Sequence, residues 1–397
     1  MNSIHDFEKR YRQAIKKVEN ANPISQRNKD LILRHKDWLM STKNLSKARM
    51  AKILSQLLNM ARWTGKDFDK MSKEDIERLL GAINEKDYVP FTKKEYKCFL
   101  KRFLNWLRET EDYPVEVDWI KPEGSKIARM KIPEEILTEH DVKELISHTQ
   151  NVRDKALIAT LFNSGCRIGE LLFVKIKHIV FQENHTARMF VDGKTGKRWI
   201  LLISCVPYLQ DWINRHPSKN NPDSYVWVKS NSELITYNMV RQILADAGKR
   251  AKVTKKVNPH AFRHASATFY ANFLTEAQMK QYFGWKQASE MAGIYVHISG
   301  RDVENSVMKA HGMETNGNGN EISELKPRIC PRCKLNNPAT NKFCATCGMV
   351  LDQETMMDLV KKDQQRKEAD DILDNLLEDP EFKEMFLKKV KEFKTPD

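Results

Sequence analysis

The stretch Gly165-Cys166-Arg167-Ile168-Gly169-Glu170-Leu171 lies where one helical pattern of apolar residues ends and another begins. Arg167 therefore stands at the point where the chain turns into a new helix. An arginine in this position can take part in catalysis, or it can pair with Glu170 on the surface. This stretch by itself favours neither interpretation, so the rest of the sequence has to decide.

Helical patterns lie on both sides of this stretch, with a short block of β-rich segments between them. A capping-box pattern, Thr138-Glu139-His140-Asp141, opens the region, and helices are predicted through Leu145 and from Leu157 to Leu172. Polar turns join three short β-rich runs at 179–181, 188–191 and 199–203. Helical spacing resumes over 208–215, 237–250, 260–274 and 277–283. We therefore expect an α+β fold over residues 138–311, mainly α with a small antiparallel β-sheet.

The chain is strongly basic, and the excess lies in its front part. Its 397 residues include 67 Lys and Arg against 53 Asp and Glu, a net charge of +14. Residues 1–110 carry 25 basic and 14 acidic groups, whereas residues 312–397 carry 14 basic and 17 acidic groups. Such an excess favours a polyanionic partner, most obviously nucleic acid. No apolar run approaches the roughly 20 residues of a membrane span and no signal pattern is present, so we expect a cytoplasmic protein without a membrane partner.

Residues 1–111 are predicted to form a separate helical domain that binds DNA. Amphipathic patterns run through this region, and capping-box patterns begin at Ser72 and Thr92. The helix predicted from Thr92 has an apolar stripe beside a basic surface. The side chains expected to contact DNA from that surface are Lys97, Lys101, Arg102 and Arg108. Residues 112–137 contain three prolines and mixed charge without periodicity, which indicates an interdomain linker.

The stretch Asn258-Pro259-His260-Ala261-Phe262-Arg263-His264 suits the start of a helix. The spacing of His260 and Arg263 puts them on one helical face. A guanidinium can donate two parallel hydrogen bonds to a phosphate, and a nearby imidazole can exchange a proton near neutral pH. The two side chains could thus grip one anion together, although solvated His and Arg would show the same spacing.

Four of the seven cysteines form a metal-site pattern near the C-terminus. Two C-x-x-C pairs stand a short loop apart: Cys330 and Cys333, then Cys344 and Cys347. This spacing predicts one tetrahedral Zn²⁺ site. Because sulfur fills all four positions, the zinc should be structural, in a ribbon over residues 328–351. The other three cysteines, Cys98, Cys166 and Cys205, are predicted to be buried free thiols.

The segments around this ribbon are predicted to differ in order. Residues 312–327 are rich in Gly and Asn, which indicates a flexible linker. Residues 352–397 are predicted to form a helical tail with two apolar stripes, one before and one after Pro380. These stripes either pack on their own chain or dock on a neighbouring protomer. The basic residues of the ribbon allow contact with DNA or with protein.

Five motifs in order closely resemble the catalytic core of tyrosine recombinases, the phage integrase family. They are the stretch from Gly165 to Leu171, Gly193-Lys194-Thr195-Gly196-Lys197-Arg198, His260-Ala261-Phe262-Arg263-His264, Gly284-Trp285 and Ile294-Tyr295-Val296-His297. The resemblance is close over residues 138 to about 310. In length and position the N-terminal helices also look like that family's core-binding domain.

The resemblance implies a role for each motif residue. It makes Arg167 and Arg263 a phosphate clamp, Lys194 the general acid on a β-hairpin and Tyr295 the nucleophile. His260 would accept a proton or a hydrogen bond. The implied activity is site-specific cleavage and rejoining of double-stranded DNA through a 3′-phosphotyrosyl bond, in a homotetramer on two DNA sites. Because that bond conserves energy, no cofactor is expected for catalysis.

Three further residues complete the expected site. Trp285 stands where many family members have histidine, and its indole N–H can donate to a phosphate oxygen. Glu170 and His264 are expected to brace Arg167 or the catalytic helix, and simple surface roles are an alternative for both. The ten-residue step from Trp285 to Tyr295 is similar to archaeal integrases, so we expect an archaeal mobile element as the source.

Two other functions remain open at this point. One is a non-catalytic DNA-binding or architectural protein on a degenerate recombinase fold, against which the complete set of catalytic residue types argues. The other is a type IB topoisomerase, which shares the chemistry but relaxes supercoils without exchanging strands.

Overall fold

The N-terminal and C-terminal parts of the chain form two compact units, Met1–Ile132 and Pro133–Asp397. The structure, a computed structural model, describes residues 6–121, 135–193, 196–298 and 323–394. No helix among these residues combines the length and apolar character needed to cross a membrane.

The N-terminal unit is helical, as expected. Its long helices pack around a core that includes the fully buried Leu54, Leu57 and Phe103. The helices are α1 (Phe7–Glu19), α2 (Gln26–Thr42), α3 (Lys47–Thr64), α4 (Lys73–Glu85), α5 (Pro90–Arg108) and the short α6 (Val115–Asp118), with a 3-10 turn at Phe68–Lys70.

One of the two helix starts predicted in this unit is wrong. Ser72 forms the expected capping box with Asp75 before α4. Helix α5, in contrast, begins at Pro90, two residues before Thr92. Proline needs no helical N–H partner at the first turn and its φ is already helical, so Pro90 overrides the capping pattern at Thr92.

The segment predicted as a linker contributes to the N-terminal core. Val117 on α6 and Ile120 after it are buried with exposed fractions of 0% and 3%. Both belong to the hydrophobic cluster of the N-terminal helices. Two buried apolar residues are too few to produce a periodic pattern, so among the prolines and mixed charge of this segment the sequence did not reveal them.

The C-terminal unit has the expected α+β composition. Its helices are α7 (Glu139–Ser147), α8 (Val152–Ser164), α9 (Ile168–Leu172), α10 (Val206–Asn214), α11 (Tyr237–Arg250), α12 (Pro259–Ala271), α13 (Glu276–Phe283) and α14 (Met291–Ile298). Strands β1 (Ile179–Phe181), β2 (Ala187–Gly193) and β3 (Gly196–Leu202) form an antiparallel sheet in that order. The predicted capping box at Thr138 is present at the start of α7.

The four-cysteine segment and the tail follow within this unit. Strands β4 (Arg328–Ile329) and β5 (Asn336–Asn337) pair beside the cysteines. Helices α15 (Gln353–Leu377) and α16 (Pro380–Lys394) then form the tail, and no residue of α15 is buried.

The four-cysteine segment docks on the recombinase-like part of the same unit. Tyr208 on α10 is 4% exposed, and its hydroxyl lies 2.9 Å from Oγ1 of Thr340 and accepts a 3.3 Å hydrogen bond from the Thr340 backbone N–H. Glu324 pairs with Lys143 on α7 at 3.5 Å. Leu325 is only 2% exposed, so the last residues of the predicted flexible linker are packed. The earlier part of that linker lies outside the described residues.

Helix α8 ends at Gly165, where the backbone turns towards Arg167. Gly165 has φ +53°, and a Cβ there would lie 2.2 Å from the ring of Phe283 and 2.5 Å from Oγ of Ser266. Glycine is therefore required both by the left-handed backbone and by the packing of α12 and α13 against this turn.

Replacing Gly165 with alanine should destabilise the C-terminal unit by about 3 kcal/mol, because backbone strain and overpacking both contribute. Gly65→Ala is the matched control. Gly65 has a similar φ of +61°, but no atom lies within 4 Å of the place that a Cβ would take there. Gly65→Ala should lower the free energy of unfolding of the N-terminal unit by only about 1 kcal/mol. Calorimetric melting of both variants would measure the difference, and equal losses would contradict the packing argument.

Candidate active site

Arg263 is a buried arginine held by two carbonyl groups. It lies on α12, whose start is capped by the Asn258 side chain. Only 7% of the residue is exposed; Nη1 donates to the Gly165 carbonyl at 2.7 Å and Nη2 to the Phe283 carbonyl at 2.8 Å. Burial, followed by the nearby charge of Arg167, lowers the pKa of Arg263 to about 10, so it stays charged at neutral pH. Two of its five N–H groups are used, which leaves three for a ligand.

Glu170 connects two further arginines. Its carboxylate is buried and accepts 2.9 Å and 2.7 Å hydrogen bonds from Arg167 Nη1 and Arg198 Nη2. Burial by itself would raise the pKa of Glu170, but Arg198 and then Arg167 outweigh it and the pKa is lowered. The predicted pairing of Arg167 with Glu170 is present, but it lies inside the site and leaves 38% of the Arg167 side chain exposed.

Arg198 is a site residue that the sequence did not single out. It lies on β3 opposite Val191, and its side chain is 11% exposed. Nε donates to the Tyr282 carbonyl at 3.1 Å, while Nη1 is buried without a hydrogen-bond partner. The sequence showed only that Arg198 lies close to Lys194 in the hairpin. Lys194 itself lies outside the described residues.

Glycine at position 193 permits this arrangement. A Cβ on Gly193 would lie 2.2 Å from Oε1 of Glu170, so the hairpin backbone approaches the buried carboxylate as closely as it can. The end of β2 thereby lies directly beside the carboxylate that pairs with Arg167 and Arg198.

Tyr295 and Trp285 complete the cluster next to Arg263. The Arg263 guanidinium lies 5.4 Å from the ring centre of Trp285, which stacks on Tyr295 at 5.7 Å with an interplanar angle of 3°. Tyr295 is 5% exposed. Burial raises its pKa to about 12, against the charge of Arg263, which lowers it.

The two histidines of α12 differ in their surroundings. His260 is exposed, whereas His264 is half-buried and its Nδ1 contacts the hydroxyl of Tyr295. The two imidazole rings are 4.3 Å apart and nearly perpendicular. The structure thus places the His264 ring against Tyr295.

The four basic side chains predicted to bind DNA fall into two groups. Lys101 donates to the Asp118 carbonyl at 2.9 Å and lies 4.2 Å from the ring centre of Tyr113. Arg108 donates to the carbonyls of Asp69 and Met71. Both side chains are thus held by contacts within the N-terminal unit. Lys97 is half-buried and Arg102 is exposed.

Arg102 also lines a groove of about 930 Å³ in the N-terminal unit. The groove contains the basic residues Arg34, Lys43 and Arg49 together with the aromatic Trp38 and Trp106. Basic and aromatic side chains together suit a nucleic acid. The sequence predicted that this domain binds DNA but named contact residues on α5 only, whereas Arg34, Trp38 and Arg49 lie on α2 and α3.

The four cysteines near the C-terminus form one compact cluster. The Sγ atoms of Cys330 and Cys347 are 3.5 Å apart, as are those of Cys333 and Cys344, and all four lie within 4.8 Å of one another. Tetrahedral zinc with Zn–S bonds of about 2.3 Å would separate its sulfur ligands by about 3.8 Å. Backbone N–H groups, that of Cys347 first, lower the pKa of Cys344 to about 6, which favours a thiolate. The cluster therefore fits a metal ion.

Two of the three remaining cysteines are buried, as expected. Burial raises the pKa of Cys166 to about 11 and that of Cys205 to about 12, so both stay protonated thiols. Cys98 is only half-buried.

Comparison with known proteins gives this site a family. Residues 135–301 match the model of the phage integrase family. A tyrosine recombinase of Thermosipho africanus is 24% identical over 281 residues, covering 69% of this chain and 96% of the relative. Tyrosine recombinase XerA of Pyrococcus furiosus is 28% identical over 253 residues, covering 59% of this chain and 86% of the relative. Because these relatives come from a bacterium and an archaeon, the archaeal source stays a prediction.

Solved structures share the fold. XerH site-specific recombinase, in a post-cleavage complex with palindromic difH substrate, aligns with a TM-score of 0.55 at 16% identity, over 77% of this chain and 96% of that chain. A lambda integrase dimer bound to a COC′ core site aligns with a TM-score of 0.54 at 17% identity, over 69% of this chain and 96% of that chain. The family match, the relatives and the fold agree. Residues 135–301 are therefore a phage integrase domain, and the chain is a tyrosine recombinase.

Proposed function

We propose that Tyr295 is the nucleophile of this recombinase, which cleaves and rejoins DNA strands at specific sites. The observation that carries the proposal is the stack of Arg263, Trp285 and Tyr295, because it puts a phenol beside a buried cation that has donors to spare. The charge of Arg263 acts on the Tyr295 hydroxyl and lowers its pKa against the effect of burial, so a phosphate bound by Arg263 would lie near the phenol.

The two arginines would neutralise the phosphate during attack. Arg167 presents its half-exposed guanidinium and Arg263 its remaining N–H groups, so both can donate to the non-bridging oxygens. As Tyr295 Oη bonds to phosphorus, negative charge grows on those oxygens and the clamp binds more strongly. The bond to the 5′ oxygen then breaks, and a general acid has to protonate that oxygen. Lys194 remains our candidate for it, with Trp285 donating its indole N–H to the phosphate.

Glu170 and Arg198 have supporting roles in this proposal. The Glu170 carboxylate holds Arg167 at its guanidinium and, through its other oxygen, accepts from Arg198. Arg198 in turn bonds to the Tyr282 carbonyl near the end of α13. Together they hold Arg167, the hairpin and α13 in one arrangement, which lowers the cost of organising the clamp when DNA binds.

Rejoining follows from the same chemistry. The phosphotyrosyl bond conserves the energy of the broken phosphodiester, so the 5′ hydroxyl of another strand can displace Tyr295 without a nucleotide cofactor. Exchange between two double-stranded sites needs several protomers. A homotetramer on two sites, acting in the cytoplasm, is our expectation; a lambda integrase tetramer bound to a Holliday junction shares the fold with a TM-score of 0.52.

Basic residues of α5 would contact DNA, and the four cysteines would stabilise the ribbon near the C-terminus. We assign Lys97 and Arg102 on α5 to phosphate contacts, with Arg102 at the rim of the basic and aromatic groove. The four cysteines would hold one structural Zn²⁺, which supplies folding energy to a segment with little core of its own. Zinc would therefore stabilise the ribbon that docks on Tyr208.

Tyr295→Phe should bind DNA normally and form no SDS-stable protein–DNA adduct, because it lacks the attacking oxygen. Tyr237→Phe is the control, since Tyr237 begins α11 away from this cluster. Gel shift and denaturing electrophoresis with a labelled substrate would measure binding and adduct. An adduct in Tyr295→Phe would rule out this nucleophile, and relaxation of plasmids irrespective of sequence would favour a topoisomerase.

Glu170→Gln should lower the free energy of unfolding of the C-terminal unit by about 3 kcal/mol at neutral pH, because it leaves the nearly buried guanidinium of Arg198 and the half-exposed one of Arg167 without their carboxylate. The folded-state pKa of Glu170 is lowered from 4.5, so its contribution is complete above pH 4.5 and is lost as the pH falls through the folded-state value. The difference between wild type and variant should therefore shrink in acid. Urea unfolding across pH measures it, with the exposed Glu183→Gln as control; a difference independent of pH would contradict this role.

Purified protein should contain one zinc per chain, and Cys344→Ser should contain none and lose the fold of residues 328–351. Elemental analysis gives the metal content, and limited proteolysis of this segment reports its fold. Cys98→Ser, in the N-terminal unit, should keep its zinc. A Cys344→Ser protein with full zinc and unchanged proteolysis would contradict the proposed site.

A further inference from the structure

Tyr295 has a contact that the family resemblance did not assign. Its hydroxyl lies against Nδ1 of His264, with the two ring centres 5.9 Å apart. His260, which the resemblance offered as the proton acceptor, is exposed and sits one helical turn earlier on the same face of α12. The nearest imidazole nitrogen to the attacking oxygen thus belongs to His264.

We propose that His264 is the group that orients the Tyr295 hydroxyl and accepts its proton during strand cleavage. This inference rests on the proposed function, in which Tyr295 is the nucleophile. Two residues of α12 then have different roles, because Arg263 binds the phosphate and His264 contacts the phenol.

The surroundings of Tyr295 make a neighbouring acceptor necessary. The residue is 5% exposed, so bulk water has little access to its hydroxyl. Burial holds its pKa at about 12 even with Arg263 nearby, and the neutral phenol is a weak nucleophile. The proton has to leave as the oxygen attacks, and the imidazole in contact, in the tautomer with Nδ1 unprotonated, can take it directly.

The stacking around Tyr295 fixes the direction of this transfer. Trp285 stacks parallel to the phenol ring, and the ring of Phe283 also stacks on Trp285 with 5.0 Å between the ring centres. This packing restricts the movement of the phenol ring. The His260 ring stands at a steep angle to that of His264 at 4.3 Å, so it limits how far His264 can rotate.

The proposed step balances in atoms and charge. A new bond forms between Tyr295 Oη and phosphorus, and the phenol proton passes to His264 Nδ1, which becomes an imidazolium. The bond from phosphorus to the 5′ oxygen breaks, and that oxygen takes a proton from a separate acid, for which Lys194 is the candidate. In rejoining, the 5′ hydroxyl bonds to phosphorus and gives its proton back to the separate acid, the bond from phosphorus to Tyr295 Oη breaks, and the proton on His264 returns to Tyr295.

Two isosteric substitutions test the assignment to one nitrogen. Asparagine places its amide oxygen near the position of Nδ1, whereas glutamine places it near Nε2. His264→Asn keeps an acceptor for the phenol, so it should retain part of the rate of adduct formation. His264→Gln and His264→Leu should lose about 100-fold in that rate, a typical contribution of a general base. The measurement is single-turnover cleavage of a half-site DNA at saturating protein, so that binding does not enter.

A second measurement separates action on the phenol from action on the phosphate. In a Tyr295→Phe background a small nucleophile, hydrogen peroxide, replaces the phenol and attacks the phosphate held by the arginines. Adding His264→Leu to this background should leave the peroxide-dependent cleavage unchanged. Adding Arg263→Ala should abolish it, because the clamp itself is lost.

The outcomes distinguish this inference from the function on which it rests. If Tyr295→Phe still forms a covalent adduct, the proposed nucleophile fails and the inference with it. If Tyr295→Phe behaves as expected but His264→Gln cleaves as fast as His264→Asn or as wild type, the role of Nδ1 is wrong while the function stands. A fall in peroxide cleavage on removing His264 would likewise overturn the assignment, because it would place His264 at the phosphate.

Discussion

A buried guanidinium group needs hydrogen-bond acceptors, and those of Arg263 lie at the ends of two helices. Its partners are the carbonyls of Gly165, just after α8, and of Phe283, the last residue of α13. Carbonyls at such ends lack helical partners and carry the negative end of the helix dipole. Leaving this cation unpaired would cost on the order of 3 kcal/mol. The site and the packing of α8, α12 and α13 therefore depend on the same hydrogen bonds.

The charges of the site are unbalanced in a way that suits its substrate. Three guanidinium groups, from Arg167, Arg198 and Arg263, share the single carboxylate of Glu170. Arg167 lowers the pKa of Arg263, which shows that the cations repel one another. A bound phosphate relieves this repulsion, and its charge increases as the five-coordinate phosphorus forms. The free protein thus has an excess of positive charge at the site, which the negative charge of the DNA phosphate neutralises on binding.

The four-cysteine segment contacts the helices around the site at few but specific positions, and the tail helix α15 differs from it. The four-cysteine segment has Tyr208 of α10 buried against Thr340, and Glu324 beside α7. Because α10 packs against α8, the segment is connected through α10 to the helix that leads to Arg167. The tail helix α15, by contrast, has exposed apolar residues, including Ile372 and Leu376.

The sequence by itself determined the kind of fold and the residue types of the site. Motif order indicated Arg167, Arg263 and Tyr295, since each motif is local, and the paired cysteines were equally readable. Only the tertiary structure decided which side chains meet. Arg198 joins Glu170, and His264 rather than His260 meets Tyr295, because the path of the backbone between elements sets these distances. Likewise Lys101 bonds to the segment after α6, a partner that helical periodicity cannot reveal, since periodicity describes one element at a time.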